Sequence, residues 1–267
     1  MLEQALDFKD ESDAVHALVD PLEEGDYEKP TQFKKWTANH ILQHLHFYNV
    51  LADLSLTNED EFIRRYDEMK QLREAGGDIL SATDELLNGL KGHALKNEWR
   101  DYYRDMGVRW IKADPKQRLK WAGPTMSVRS SISARLMETW AHAQALYDNL
   151  GVARQNTDRI KSIVVLGVNT FGWTFSNRGE DVPAEQPYVR LEAPSGMTWE
   201  WGDKSDQNYV MGPAEAFCMV VTQTRNIGDV TLDVGGDVAK EWMSKAQCFA
   251  GVPRDAPKPG ARFVSVT

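Results

Sequence analysis

The segment Ala134-Arg-Leu-Met-Glu-Thr-Trp-Ala-His-Ala-Gln-Ala-Leu-Tyr-Asp-Asn-Leu150 decides how the rest of the sequence is interpreted. Its pattern is typical of an α-helix. Glu138 and His142 are four residues apart, so on a helix they lie one above the other on the same face. A carboxylate and an imidazole placed in this way can supply two ligands of a three-ligand metal site. An ordinary solvent-exposed Glu/His pair has the same spacing, so this helix alone leaves both interpretations open.

The composition is that of a globular protein, with 42% hydrophobic and 27% charged residues in a chain of 267. Two domains are expected, because the chain exceeds the length at which single cores usually stop growing. The formal net charge of −9 argues against a nucleic-acid partner, since phosphate neutralisation supplies most of the affinity for nucleic acids. We find neither a membrane-spanning apolar run nor the pattern of a signal peptide. We therefore expect a cytoplasmic protein with no membrane partner.

Cysteine and histidine are distributed unevenly. Cys218 and Cys248 are far apart and neither belongs to a Cys-x-x-Cys pair, so we interpret them as buried thiols rather than as a disulfide or a zinc site. All six histidines precede residue 143. Imidazole chemistry is therefore expected in the first half of the chain.

Residues 36–53 are predicted to form a second helix, with Thr37 as its N-cap. This helix carries three histidines. His40 and His44 are four residues apart and could share a metal by themselves. His46 points nearly the opposite way from His44, so it cannot join them without a break in the helix. The alternative is one core histidine with a satisfied hydrogen bond and two solvated ones.

The remaining pattern changes from helical to mixed along the chain. Helices are predicted at 2–20, from 58 towards 76, at 94–113, 157–175, 214–222 and 237–249. An aromatic stripe on the helix at 94–113 is interpreted as core. Residues 188–193 and 197–201 alternate around Pro194-Ser195-Gly196, which predicts two strands joined by a tight turn, and 230–234 predicts a third strand.

Two stretches together resemble the DinB-like superfamily and, within it, the mycothiol-dependent maleylpyruvate isomerase-like proteins. They are Trp36-Thr-Ala-Asn-His-Ile-Leu-Gln-His44-Leu and Ala134-Arg-Leu-Met-Glu138-Thr-Trp-Ala-His142. The second half is similar to a recurring partner domain that bears a "wyosine base formation" label, through Leu191-Glu-Ala-Pro-Ser-Gly196, Trp199-Glu-Trp-Gly202 and Val221-Thr-Gln-Thr-Arg225. We discount tRNA binding, because an acidic chain without a basic stripe is a poor tRNA binder.

The resemblance implies an α+β fold in which a DinB-like metal-binding helical bundle, 1–180, is followed by a small C-terminal α/β domain, 181–267. It also implies one divalent metal, expected to be Zn²⁺, with ligands that fall on His44, Glu138 and His142.

The same family pattern gives no metal role to His40 or His46. Related sequences commonly have His-Gly-Gln-Asp where this chain has His142-Ala-Gln-Ala145, so contacts one turn from the metal are expected to differ.

Three functions are compatible with such a site. Two neutral imidazoles and one carboxylate leave Zn²⁺ with net positive charge and an open position, as in catalytic zinc sites. The first hypothesis is a transferase or isomerase that activates a low-molecular-weight thiol towards a small electrophilic, acidic substrate. The second is a hydrolase that uses metal-bound water, and the third is a binding protein for a metal or small acid. The sequence leaves the oligomeric state open.

Arg225 is the predicted catalytic-site residue outside the metal ligands. A reaction site between domains would need a cation to orient an acidic substrate, and Arg225 follows the predicted helix at 214–222. The alternative is a surface arginine at the end of that helix.

Overall fold

The structure is a computed structural model that describes residues 1–264, and its contacts divide the chain into two compact units. The first unit, Met1–Leu146, is built of helices. These are α1 (Glu3–Val19), α2 (Ala38–Thr57), α3 (Glu59–Glu74), α4 (Ile79–Leu86), α5 (Gly92–Trp110) and most of α6 (Val128–Leu150). Before α6, β1 (Arg118–Leu119) and β2 (Met126–Ser127) form a short antiparallel pair.

Helix α2 is the centre of the first unit, where it packs against α3, α4 and α5. Its predicted cap is confirmed: the Thr37 hydroxyl oxygen accepts the backbone N–H of His40 at 3.3 Å. The predicted aromatic core stripe on α5 is also confirmed, since Trp99, Tyr103 and Trp110 are fully buried. The helix that carries His44 is therefore capped at its start and packed along its length.

A buried carboxylate ties α2 to α5. Asp53 of α2 accepts hydrogen bonds from the indole N–H of Trp110 at 2.9 Å and from the Tyr102 hydroxyl at 3.2 Å, and it forms an ion pair with Arg109. A buried charge is tolerated when it is paired and hydrogen-bonded. These contacts fix the position of α2 relative to α5.

Helix α6 begins directly after Ser127, which caps it. The Ser127 hydroxyl oxygen accepts the backbone N–H of Ser130 at 3.1 Å. Leu136 and Trp140 of α6 are fully buried, so the helix bearing Glu138 and His142 presents one face to the core.

The second unit begins at Tyr147 and contains helices and a four-stranded sheet. The helices are α7 (Lys161–Asn169), α8 (Phe171–Ser176), α9 (Ala214–Val221) and α10 (Asp237–Lys245). The strands are β3 (Tyr188–Glu192), β4 (Thr198–Trp201), β5 (Tyr209–Pro213) and β6 (Asp233–Gly235), in the spatial order β4-β3-β5-β6. Strands β3 and β5 are parallel, and the other two pairs are antiparallel.

The predicted hairpin is confirmed, with Leu191 opposite Trp199 and Gly196 at φ 82° in the turn. Several details differ from the sequence-based prediction. Helix α4 and the β1–β2 pair were not predicted, and the third strand predicted at 230–234 is β6, Asp233–Gly235. The single helix predicted at 157–175 is divided at Thr170, whose hydroxyl donates to the Leu166 carbonyl oxygen at 2.8 Å. Strand β5 was not expected. Its last residue, Pro213, comes directly before α9, so the sequence there was interpreted as the start of a helix.

The α+β fold, helical in its first part and mixed in its second, is confirmed. The predicted domain boundary at 180/181 lies further along the chain than the division at 146/147, because α7 packs closely on α9. A Cβ added at Gly167 would lie 2.9 Å from side-chain atoms of both Phe217 and Val221. Among residues 1–264, no helix has the length and apolar character needed to cross a membrane.

Candidate metal centre

The three predicted ligands come together at one carboxylate oxygen. His44 Nε2 of α2 and His142 Nε2 of α6 lie 3.3 Å and 3.1 Å from Glu138 Oε2. In a tetrahedral zinc site with bonds of about 2.0–2.2 Å, neighbouring ligand atoms are about 3.3 Å apart. Within residues 1–264, this is the one group of three or more His, Cys, Asp or Glu side chains with metal-binding spacing, and its ligand atoms lie within 4.8 Å of one another. The spacing therefore fits a small divalent ion.

The electrostatics of His44 and Glu138 also fit. Burial, helped by the charge of His142, lowers the pKa of His44 to about 4, so its imidazole is neutral near pH 7. Burial by itself raises the pKa of Glu138, but hydrogen bonds with His142 and His44 hold it well below its ordinary value. A neutral imidazole and an ionised carboxylate are the forms that bind metal.

Aromatic rings surround the two imidazoles. The Trp36 ring is parallel to that of His142, with an interplanar angle of 1° and 5.4 Å between centroids, and the edge of Phe33 contacts the same imidazole at 5.2 Å. The Tyr48 ring lies 4.8 Å from that of His44. The two imidazoles are only 10% and 14% exposed beside these rings, whereas the Glu138 side chain is 27% exposed.

The other two histidines of α2 have different roles. The Nδ1 atom of His40 accepts the backbone N–H of Thr37 at 3.1 Å, so this side chain helps to cap the helix. His46 is buried and meets the Tyr102 ring edge-on at 5.4 Å. Neither belongs to the group around Glu138.

Arg135 is a buried cation near the site that the sequence-based reasoning missed. Its Nε donates to Asn49 Oδ1 at 3.0 Å, its guanidinium lies 5.9 Å from the Tyr48 ring centroid, and Glu138 interacts with its charge. The sequence did contain a signal for this neighbourhood, because residues three or four apart on a helix lie side by side. Arg135 precedes Glu138 by three residues, and Tyr48 follows His44 by four.

Arg225 lies in the second unit. Its Nη2 is 2.6 Å from Asp148 Oδ1, and its Nη1 donates to the Thr224 carbonyl oxygen at 3.0 Å. The guanidinium is therefore buried and fixed, unlike the surface arginine of the alternative interpretation. Its role towards a substrate stays a prediction. Ala145, three residues after His142, is also buried.

A family model identifies the family of this chain. Residues 8–147 match the family model of the mycothiol maleylpyruvate isomerase N-terminal domain. Two proteins described as uncharacterized, from two strains of Mycobacterium tuberculosis, are each 36% identical to this chain over 249 residues, covering 92% of this chain and 95% of theirs.

Solved structures show the same fold. Crystal structures of the mycothiol-dependent maleylpyruvate isomerase and of a histidine-to-alanine mutant of it superpose with TM-scores of 0.51 and 0.52, covering 82% of this chain and 87% of each of theirs. The identities are 15% and 17%, so this likeness concerns the fold alone.

The wyosine-type label of the second half stays a prediction. Since the family model matches more than half of the chain, the protein belongs to the family of the mycothiol maleylpyruvate isomerase N-terminal domain.

Proposed function

We propose that this protein is a divalent-metal-dependent enzyme that activates a low-molecular-weight thiol for isomerisation or transfer on a small electrophilic, acidic substrate. The observation that carries the proposal is the convergence of His44 and His142 on Glu138 Oε2, in a chain whose family is named for a mycothiol-dependent isomerase. These three side chains would hold the ion, with Zn²⁺ as the expected metal. When bound, such an ion favours the thiolate form of a coordinated thiol and leaves one position open for it.

The charges of the protein groups favour an anionic ligand. The ionised Glu138 is the one negative charge among the three ligands, and the buried guanidinium of Arg135 interacts with it. Two neutral imidazoles add no negative charge. The site with its divalent ion is therefore positive, which attracts both a thiolate and a carboxylate substrate.

The aromatic side chains around the site would limit the access of water to the two imidazoles and orient the reactants. Phe33 and Trp36 cover His142, and Tyr48 covers His44. A water-poor surrounding strengthens each electrostatic interaction within it. It also protects a reactive thiolate from competing protonation by solvent.

Arg225 is proposed to orient the acidic group of the substrate. Asp148 and the Thr224 carbonyl oxygen each engage one of its terminal nitrogens, so the plane of the guanidinium is fixed. A guanidinium has five N–H donors in a fixed arrangement, which leaves donors for a carboxylate.

Spectroscopy of the cobalt-substituted protein tests the proposal. Mycothiol added to the Co²⁺ form is expected to produce a saturable sulfur-to-cobalt charge-transfer band in the near ultraviolet. The band should be lost in His142→Ala and retained in His46→Ala, which removes a histidine of α2 that lies outside the ligand group. Isomerisation of maleylpyruvate should then require added thiol.

The opposite result would favour the hydrolase hypothesis. Turnover of esters or amides without thiol, together with no band for mycothiol or other cellular thiols, would contradict the proposed function. Metal binding with neither thiol binding nor turnover would leave the non-catalytic binding protein.

A further inference from the structure

A strained turn precedes α2. The backbone N–H of Trp36 donates to the Phe33 carbonyl oxygen at 2.8 Å, and the two residues between them, Lys34 and Lys35, have φ of 51° and 61°. A hydrogen bond of this kind with two positive φ values is characteristic of a type I′ turn, whose central residues are usually Asn-Gly. Lysine side chains disfavour this conformation. Two consecutive lysines in it therefore store strain, which persists only where the surrounding contacts enforce it.

The contacts that enforce the turn connect it to the metal-binding helix. The backbone N–H of Thr31 donates to the Trp36 carbonyl oxygen at 2.8 Å, and Pro30 pairs with Thr37 as an antiparallel bridge. Thr37 is the N-cap of α2. The turn is thus a small hairpin that continues directly into the helix bearing His44.

The result of this arrangement is the placement of one indole against two metal-binding imidazoles from different helices. The centroid of Trp36 lies 5.4 Å from that of His142, with parallel planes, and 5.5 Å from that of His44. Trp36 is 8% exposed, so its ring has little freedom to move. The turn also places the Phe33 ring 5.2 Å from that of His142 and 5.1 Å from that of Trp36, edge-on to both.

Ring contacts matter at this site because a usual hydrogen bond is missing. A histidine that binds metal normally donates its second ring N–H to a carboxylate or carbonyl, which fixes the plane of the imidazole. The Nδ1 atom of His44 is buried and has no hydrogen-bond partner among the residues that the structure describes. That imidazole contacts the Trp36, Tyr48 and His142 rings, with centroids 5.5, 4.8 and 4.5 Å away.

We propose that Trp36 is a positioning residue of the metal centre, and that the Lys34-Lys35 turn holds its indole against the imidazoles of His44 and His142. The inference rests on one part of the proposed function, namely that a metal binds to His44, Glu138 and His142. Trp36 acts through the orientation of the imidazoles, since its side chain offers no metal ligand.

Metal affinity in matched tryptophan variants tests the proposal. Loss of groups that orient metal ligands typically weakens binding about 10–100-fold. Trp36→Leu is expected to raise the Kd for Zn²⁺ by that factor, and Trp36→Phe, which keeps a flat ring, by less. Trp99→Phe is the control, because Trp99 is a fully buried core residue of α5 outside the contacts of the site. It should lower stability without changing the Kd.

Variants of the two lysines separate the shape of the turn from its charge. Lys34→Asn with Lys35→Gly suits a type I′ turn, whereas Lys34→Val with Lys35→Val opposes positive φ through β-branching. Both pairs remove the same two charges. The first pair should keep the wild-type Kd and raise the melting temperature, and the second should weaken Zn²⁺ binding about as much as Trp36→Leu.

A readout on the metal-free protein completes the test. Side-chain ¹⁵N spectra should show a single ordered His142 imidazole in the wild type and an exchange-broadened one in folded Trp36→Leu. A folded Trp36→Leu variant with the wild-type Kd and an ordered His142 would overturn the proposal. Failure of the proposed function is distinguishable from failure of this inference. If the wild-type protein binds Zn²⁺ but gives no thiol band, the Kd values for Zn²⁺ of the wild type and the variants can still be compared.

Discussion

Arg225 and Asp148 form a buried ion pair in which Nη2 and Oδ1 are 2.6 Å apart and the two side chains are 9% and 3% exposed. Both charges have lost most of their hydration, and each compensates the other. Removing one partner leaves a buried charge without its counter-ion, which is strongly destabilising. Any test of Arg225 as a substrate-binding residue therefore has to separate lost binding from lost stability.

We expect Arg225→Ala to lower the free energy of unfolding by about 3–5 kcal/mol, because the buried Asp148 carboxylate loses the guanidinium that lies 2.6 Å from it. Arg225→Lys keeps the charge but loses the planar arrangement of donors. It should destabilise less and should raise KM for an acidic substrate while the Zn²⁺ content stays unchanged. Urea unfolding and steady-state kinetics check the two effects. Unchanged KM in a folded Arg225→Lys variant would argue against a role in the site.

Removal of any one ligand is expected to abolish tight metal binding. Purified protein should carry about one divalent ion per chain, and His44→Ala, Glu138→Ala and His142→Ala should each lose most of it, since two ligands hold Zn²⁺ weakly. Elemental analysis gives the occupancy.

His46→Ala and His40→Ala are the matched controls for that experiment, because both side chains lie on α2 outside the ligand group. Both variants should retain the metal. Full occupancy in the His44 and His142 variants, or loss confined to the His40 and His46 variants, would show that the ligands have been misassigned.

The helices that carry the site were predictable because their signals are local. Thr37 caps α2, Ser127 caps α6, and the Glu138/His142 spacing puts both side chains on one face. The pairing of β3 with β5 was not predictable in this way. It is parallel and joins segments distant along the chain, and Gly212-Pro213, which end β5, have the composition of a helix start.

The aromatic surroundings of the ligands depend on a conformation that opposes local preference. No sequence rule assigns a type I′ turn to Lys34-Lys35, since the usual residues are Asn and Gly. A sequence-based prediction that misses this turn therefore also misses the position of Trp36 against His142. Functional sites are where such conflicts between local preference and structure are expected.

Close packing of α7 on α9 gives a prediction for the second unit. A Cβ at Gly167 would lie 2.9 Å from Phe217 and Val221, so Gly167→Ala should cost about 1–3 kcal/mol of stability through overpacking. Gly172→Ala is the matched control in α8, because its Cβ would lie 3.6 Å from Val182, an ordinary contact. That variant should be neutral or more stable, since alanine suits a helix better than glycine. Equal effects of the two substitutions in thermal unfolding would contradict this packing.

The last prediction concerns His16 of α1 and the stability of the first unit in mild acid. Its side chain is 12% exposed, and burial, reinforced by the positive charges of Lys96, Arg100 and Arg104, lowers its pKa below 6.5, although Asp20 opposes the shift. The folded protein therefore binds fewer protons at this residue than the unfolded chain does in the pH range below about 6.5.

Stability contributed by the neutral His16 is thus fully present above pH 6.5 and falls as the pH decreases towards the lowered pKa. The slope from one such group is at most about 1.4 kcal/mol per pH unit. His16→Gln cannot take up a proton, so its free energy of unfolding should vary less between pH 7 and pH 5 than that of the wild type. Urea unfolding at several pH values measures the difference between the two proteins. A difference that stays constant over this range would mean that His16 titrates alike in the folded and unfolded states, contrary to its buried position beside three cations.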